Sequence, residues 1–281
     1  MAVAAASGFI ILGGFILLQL SSAATFGVSA EAESGTLGGN AKKVASASAS
    51  GGQHVQFSGT TPTPGGGGGL PTGTLKIMPF GDSITDGGGS VDGAYRIKLE
   101  QSLTAKGYDF DFVGSQQSGS NGLQDTDHEG HGGWCLNSPN CYSSSLLAPQ
   151  TAGWVSAADP DLVLVHGGTN DLNSGDSGAE IAEHLQTTLN NIYSAKPTVR
   201  VIVAKIVKDN GADVAVQQDY ASRIDGIVST MSASGKAISS VDMTGILSEG
   251  SDYVDETHPN LAGYNKMADT WMAGITAVYG K

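Results

Sequence analysis

From Leu75 onward the apolar positions fall into two alternating textures. Short, nearly continuous apolar runs occupy residues 75–80, 110–113, 161–166, 199–206 and 237–243. Between them lie longer stretches whose apolar positions recur every three or four residues. These cover 95–106, stopped by Gly107; 178–195, with Ile181, Leu185, Leu189 and Ile192 on one stripe; 214–234; and 261–279. The short runs predict strands and the 3.6-period stretches predict helices. The run "DLVLVH" at 161–166 has almost no polar position, as expected of a strand covered on both faces. Strand–helix alternation of this kind predicts an α/β domain over residues 75–281. Its expected form is a three-layer αβα sandwich around a mostly parallel, five-stranded sheet. Sites in such sheets lie at the carboxyl ends of the strands.

The N-terminal third has a different texture. Residues 9–20, "FIILGGFILLQL", form an apolar run of secretory-signal length, followed by Ser22, Ala23 and Ala24. A signal peptide is therefore expected over 1–24, with a secreted, extracellular product. One feature departs from that pattern, since no Lys or Arg precedes Lys42; the alternative is a membrane anchor that stays attached. Residues 60–74, "TTPTPGGGGGLPTGT", read as a linker, extended at its Thr-Pro pairs and flexible at its glycine run. In a secreted chain Cys135 and Cys141 are expected to form one disulfide; in a reducing compartment they would be two free thiols.

The 281 residues carry a net charge of −13. That balance argues against nucleic acid and anionic membranes as partners and suits a neutral or polymeric substrate. No membrane association is expected after signal cleavage, and a monomer is expected.

The polar residues collect where the strand–helix reading places a site. The first strand runs into Gly81-Asp82-Ser83, the second into Gly114-Ser115, and the third into Gly167-Gly168-Thr169-Asn170-Asp171. A long loop after the fifth carries Asp255-Glu256-Thr257-His258-Pro259. A serine hydroxyl is a weak nucleophile until a histidine accepts its proton. The histidine needs a carboxylate to fix its tautomer, and a developing oxyanion needs donors aimed at it. Each residue also has a plainer use. Ser83 or Asp255 could cap a helix, and His258-Pro259 could simply start one.

Taken in order, Gly81-Asp82-Ser83-Ile84, Gly114, Gly168-Thr169-Asn170-Asp171 and Asp255-Glu256-Thr257-His258-Pro259 resemble the four sequence blocks of the SGNH hydrolase superfamily, the GDSL-type esterases. The resemblance spans residues 77–260 and implies a flavodoxin-like fold. It implies Ser83 as nucleophile, His258 as general base and acid, and Asp255 as its orienting carboxylate. It also implies an oxyanion hole formed by the Ser83 and Gly114 amides and the Asn170 side chain. Asp82 is expected to bond local backbone, and Asp171 to be a structural hydrogen-bonder.

Residues 125–134, "DTDHEGHGGW", superficially suggest a metal. His128 and His131 are three apart amid glycines, unlike the helical H-E-x-x-H of zinc proteases. Asp125 and Asp127 are candidate ligands of a structural calcium; the expected chemistry requires no metal or other cofactor. The stretch also resembles the corresponding loop of carbohydrate esterase family 3, the acetylxylan-esterase-like branch. That resemblance implies an acetylated polysaccharide or oligosaccharide as substrate, with xylan the expected polymer. Trp134 and His131 are candidate substrate contacts, with packing and loop-fixing as the alternatives. Residues 25–59 resemble the opening strands of a β-sandwich carbohydrate-binding module of the family 6 and 35 type, in Glu31-Ala32-Glu33-Ser34-Gly35, Ala49-Ser50-Gly51-Gly52 and Val55-Gln56-Phe57. The segment is too short to close two sheets over a core.

Overall fold

The computed structural model describes residues 41–45, 53–57, 73–88 and 91–280. The expected signal segment 1–24 and most of the linker lie outside the described residues. The chain divides into two compact units, residues 1–59 and 60–281. In the first, strands β1 (Ala41–Ala45) and β2 (Gln53–Phe57) pair antiparallel, with Ala41 opposite Phe57 and Ala45 opposite Gln53.

The second unit is built on a sheet whose spine is β3 (Leu75–Gly81), β7 (Leu162–His166), β8 (Arg200–Lys205) and β9 (Ile238–Asp242), all parallel. On the other side of β3, its first half pairs with β4 (Phe110–Phe112) and its last residues with β6 (Asp127–Gly130), both parallel. The short β5 (Gln116–Gln117) is antiparallel to β6 at the edge. The five expected strands thus form a parallel sheet, and β5 and β6 extend it. Their apolar signal is absent because the "DTDHEGHGG" stretch is polar; its backbone pairs, and its side chains serve local hydrogen bonds.

Strand side chains alternate between two cores. Leu75, Ile77, Leu162, Leu164, Ile202 and Ala204 face α2 (Arg96–Ala105) and α7 (Leu261–Tyr279), packing on Leu99, Met267, Trp271 and Ile275. Met78, Phe80, Val163, Val165, Val201 and Val203 face α3 (Ala148–Ala158), α5 (Gly178–Ala195) and α6 (Val214–Ala233). These are the three layers, and they explain why the central strands read as continuous apolar runs. Helix α5 begins on a reciprocal capping box between Ser177 and Glu180 and buries the expected stripe Ile181, Leu185, Leu189 and Ile192.

Helix α3 has no counterpart in the apolar pattern. Its buried positions are Ala148, Thr151 and Val155, small residues that make a weak stripe, and Gly153 interrupts it. Its start carries the better signal, because Pro149 sits in the first turn, where its missing N–H costs nothing.

Candidate active site

The β3 strand ends where backbone approaches backbone. A Cβ at Gly81 would stand 2.0 Å from the His166 carbonyl at the end of β7, so only glycine fits there. The chain then turns into the one-turn helix α1 (Ser83–Asp86). Its cap is Asp82, whose Oδ1 accepts the Ile84 N–H at 3.0 Å. Ser83 is the first helical residue and its hydroxyl is left for other work. Burial pushes the Asp82 carboxyl up to about 6, against the Ile84 hydrogen bond, which favours its charged form.

The loop between β9 and α7 delivers the partners. His258 Nε2 stands 2.9 Å from Ser83 Oγ. Its Nδ1 lies 2.9 Å from Asp255 Oδ2 and 3.2 Å from Oδ1. A carboxylate only accepts, so Nδ1 carries the proton and Nε2 presents a lone pair to the serine hydroxyl. Asp255 Oδ1 also accepts the His258 and Thr257 backbone amides, at 2.6 and 2.8 Å. Partial burial works to raise the Asp255 carboxyl, but hydrogen bonds from the His258 amide, the His258 ring and the Thr257 amide outweigh it and leave it below its ordinary value. Neither Asp255 nor His258 caps α7; Asn260 does, accepting from Ala262 and Gly263.

Asn170 lies on the short helix α4 (Thr169–Asn173) beyond β7 and is buried. Its amide orientation follows from its partners. The Trp134 carbonyl can only accept, so it takes Nδ2–H at 2.8 Å, and Tyr142 Oη donates to Oδ1 at 3.0 Å. One Nδ2 hydrogen remains for the cleft that Asn170 lines with Ser83 and His258. This cleft holds about 320 Å³. The adjoining Asp171 accepts Leu136 N–H at 2.7 Å and Asn137 N–H at 3.3 Å, and contacts His184 Nδ1 at 3.0 Å, as a structural hydrogen-bonder would.

The structure does not bring Gly114 into this cleft. Gly114 lines a separate small cavity with Ser115, Glu129 and Trp154. A Cβ there would lie 2.0 Å from the His128 carbonyl, so glycine is required by the close approach of the chain to β6. The glycines that do line the cleft with Ser83 are Gly88, Gly132 and Gly133. Among the described residues the Gly133 N–H has no hydrogen-bond acceptor. The sequence signal for the cleft glycines lies in "GHGGW", whereas the resemblance points to the glycine after the second strand.

His131 and Trp134 line the same cavity but differ in exposure. His131 is buried, with Nε2 2.6 Å from Glu129 Oε1 and its ring stacked on Trp154 at 4.3 Å and tilted against Trp134 at 4.7 Å. Glu129 in turn accepts the Ser115 amide and hydroxyl. Trp134 is half-buried and lines a cavity of about 440 Å³ with Trp154 and Gln116, next to the cleft through Gly132. His128 is buried; it accepts the Gly130 N–H at Nδ1 and contacts Ser118 Oγ at Nε2. Burial lowers it to about 3, with Arg96 and His131 adding repulsion, so it is neutral. Arg96 itself is buried and satisfied by the carbonyls of Thr85, Asp86, Ser118 and Thr126.

Cys135 and Cys141 are joined in a disulfide. The candidate calcium ligands Asp125 and Asp127 accept hydrogen bonds, Asp125 from Phe112 N–H and Asp127 from Gln117 Nε2. Among the described residues, three potential metal-ligating side chains converge at Asp171, Asp176 and His184. Their atoms contact one another and take Leu136, Asn137 and Asn140 as further partners.

One supporting residue had no signal in the sequence. The buried Asp209, after β8, accepts Thr257 Oγ1 at 3.0 Å and Asn173 Nδ2 at 2.9 Å through Oδ2, and Gly211 N–H through Oδ1. It ties the histidine loop to the helix of the asparagine.

Several known proteins are similar to this chain in fold or sequence. A solved family 3 carbohydrate esterase from Clostridium thermocellum is 33% identical, with a TM-score of 0.64, over 74% of this chain and 98% of its own. A solved acetyl esterase variant with an acetate ion is 28% identical, with a TM-score of 0.61, over 74% of this chain and 99% of its own. A multidomain esterase of Ruminococcus flavefaciens is 28% identical over 227 residues, or 72% of this chain; the match spans only 28% of that longer protein. The sequence profile described as the GDSL-like Lipase/Acylhydrolase family matches residues 80–266. An esterase geometry of serine, histidine and asparagine at the carboxyl edge of a parallel sheet, matched in sequence over most of the domain, makes this chain a member of the GDSL-like Lipase/Acylhydrolase family, the SGNH hydrolases.

Proposed function

We propose that the protein is a secreted serine esterase that removes acetyl groups from plant polysaccharide, with acetylated xylan as the preferred polymer. The observation that carries this reading is the line of contacts from Asp255 through His258 to Ser83 Oγ, in one cleft with Asn170. Ser83 Oγ attacks the ester carbonyl carbon while its proton passes to His258 Nε2. The tetrahedral oxyanion takes hydrogen bonds from the Ser83 and Gly133 amides and Asn170 Nδ2. The C–O bond to the sugar breaks, and His258 returns the proton to the leaving hydroxyl. Water, deprotonated by His258, then attacks the acetyl-serine; the acyl C–Oγ bond breaks, His258 returns the proton to Ser83 Oγ, and acetate leaves. The scheme needs no metal or other cofactor.

The acyl preference follows from the cleft wall. Besides Ser83, Asn170 and His258, it is lined by Gly88, Gly132, Gly133, Tyr142, Asn173 and Thr257. No aliphatic side chain is among them, so a long acyl chain would gain little by entering. The family 3 carbohydrate esterase and the acetyl esterase among its solved relatives support a short acyl group on a carbohydrate. Secretion is supported by the signal-like segment, and a polymeric substrate by the net negative charge.

The test compares purified protein with Ser83→Ala on p-nitrophenyl acetate, longer p-nitrophenyl esters and acetylated xylan. Acetate release from xylan with weak long-chain activity is expected. Preference for long chains would instead favour a lipid or other acyl ester as substrate. No release above the Ser83→Ala control would overturn the esterase reading.

A further inference from the structure

Tyr142 is exposed over 66% of its surface, yet its hydroxyl is committed to Asn170 Oδ1 at 3.0 Å. Exposed tyrosines seldom hold a buried amide, and the position of this one in the chain explains how it can. Cys135 follows Trp134, and Cys141 precedes Tyr142. The disulfide therefore joins the chain neighbours of the two residues that grip the Asn170 side chain: the Trp134 carbonyl holds Nδ2, and the Tyr142 hydroxyl holds Oδ1. The loop between them is docked on α4 by Asp171, through the Leu136 and Asn137 amides. Its far end is tied to the cleft glycines, because Ser143 Oγ donates to the Gly133 carbonyl at 2.8 Å.

An asparagine side chain held at one atom can rotate about its last torsion, which is broad. Held at both, it has one plane and one orientation, with the spare Nδ2 hydrogen fixed. Preorganised donors stabilise a transition state because they need no reorientation as charge develops. We propose that Tyr142 is a positioning residue for Asn170, acting from a disulfide-closed clamp that fixes the oxyanion donor. This rests on the esterase reading above only for its kinetic consequence; the clamp itself is a structural claim. Although most of its ring is exposed, the Tyr142 hydroxyl is partly desolvated where it meets Asn170, and this, with repulsion from Asp82, raises its phenol, which is protonated and able to donate at neutral pH.

Tyr142→Phe tests it, because it removes the hydroxyl and keeps the ring and the disulfide. The expected result on p-nitrophenyl acetate is a kcat reduced about 10-fold or more, a KM within about twofold, and a thermal midpoint lowered by no more than about 5 °C, as the loss of one partner of a buried amide allows. Combined with Asn170→Ala, the Phe substitution should add nothing, because its effect passes through the same amide. An equal further loss in the double variant would overturn the proposal, as would a raised KM with unchanged kcat, which would make Tyr142 a substrate contact.

A second readout does not depend on turnover. The Asn170 side-chain amide pair, assigned in a ¹H–¹⁵N spectrum by its loss in Asn170→Ala, should shift and exchange faster with water in Tyr142→Phe. An unchanged pair would overturn the clamp. Absence of ester hydrolysis by the wild type, with the amide pair responding as expected, would count against the esterase reading and leave the clamp standing.

Discussion

Ser83 Oγ and His258 Nε2 stand 2.9 Å apart, although 175 residues separate them in the chain. The contact depends on two loops at the same edge of the sheet, one tight and one long. His258→Ala should therefore lower kcat by roughly 10²–10⁴, the usual worth of a positioned general base. The fold should survive, because His258 lies on the loop ahead of α7. Asp255→Ala should cost less than His258→Ala, because the Asp255 carboxylate is half exposed and water can replace it against Nδ1. Initial rates on p-nitrophenyl acetate, with circular dichroism to verify folding, check both. An Asp255 variant slower than the His258 variant would contradict the ordering.

Asn170→Ala should reduce turnover by roughly 10²–10³, as loss of one oxyanion donor does elsewhere. The effect belongs in kcat, because the donor is needed most when the carbonyl oxygen carries charge. Steady-state kinetics on the acetate ester decide it; a change confined to KM would remove Asn170 from the oxyanion hole.

Gly114 and Asn170 mark where the sequence was legible and where it was not. The sheet strands and the stripe of α5 could be read because burial on two faces, or on one face, imposes a period on the chain. Ser83, Asn170, Asp255 and His258 could be read because their chemistry restricts residue type within short motifs. Gly114 could not be assigned in the same way. Glycine answers equally to a donor's approach and to a backbone crowding it, and only the 2.0 Å distance from a built Cβ to His128 O separates the two. Asp209 was invisible for another reason: its partners Asn173, Gly211 and Thr257 are joined by tertiary structure, with Thr257 48 residues away. Helix α3 escaped because its buried face is made of small side chains.

Gly114→Ala should accordingly act on stability. The added methyl would collide with the His128 carbonyl, and overpacking of this kind costs roughly 1–3 kcal/mol. Urea unfolding should report that loss, while kcat of the folded fraction stays near the wild-type value. A large fall in kcat with unchanged stability would return Gly114 to the oxyanion hole.

Asp209→Ala should loosen the histidine loop. It would leave the Thr257 hydroxyl, the Asn173 amide and the Gly211 N–H without their acceptor; Thr257 is half-buried, while Asn173 and Gly211 are exposed and can recruit water. Each such orphaned group costs roughly 1–3 kcal/mol unless water reaches it. Both the thermal midpoint and kcat should fall, and protease cleavage near residues 252–258 should appear earlier than elsewhere. A variant as stable and as active as the wild type would show that the tie is redundant.

Stability should decline in mild acid. Burial holds His128 down to about 3, with Arg96 and His131 contributing, and burial holds His166 down to about 4. Both would bind a proton near pH 6.5 once unfolded. Between about pH 6.5 and 4 the unfolded chain therefore carries more protons at these two sites, and stability falls as pH falls, by about 1.4 kcal/mol per pH unit for each. Asp82 works the other way. Its carboxyl, raised by burial to about 6, takes a proton in the folded state that the unfolded chain does not hold until near pH 3.8, so acid favours folding there. His184 is raised, chiefly by its hydrogen bond to Asp171; its contribution is complete below pH 6.5 and adds no slope in this window. Carboxylates held low, such as Asp252 beside Lys266, lose their contribution only below their unfolded value. Asp125, also raised by burial, works in the same direction as Asp82, so the two histidines leave a net loss of at most about one histidine's slope between pH 6 and 4.5. Urea unfolding across that interval should show it, and His128→Gln should flatten it whatever its effect on absolute stability. A slope unchanged by that substitution would mean that His128 is not held neutral in the folded protein.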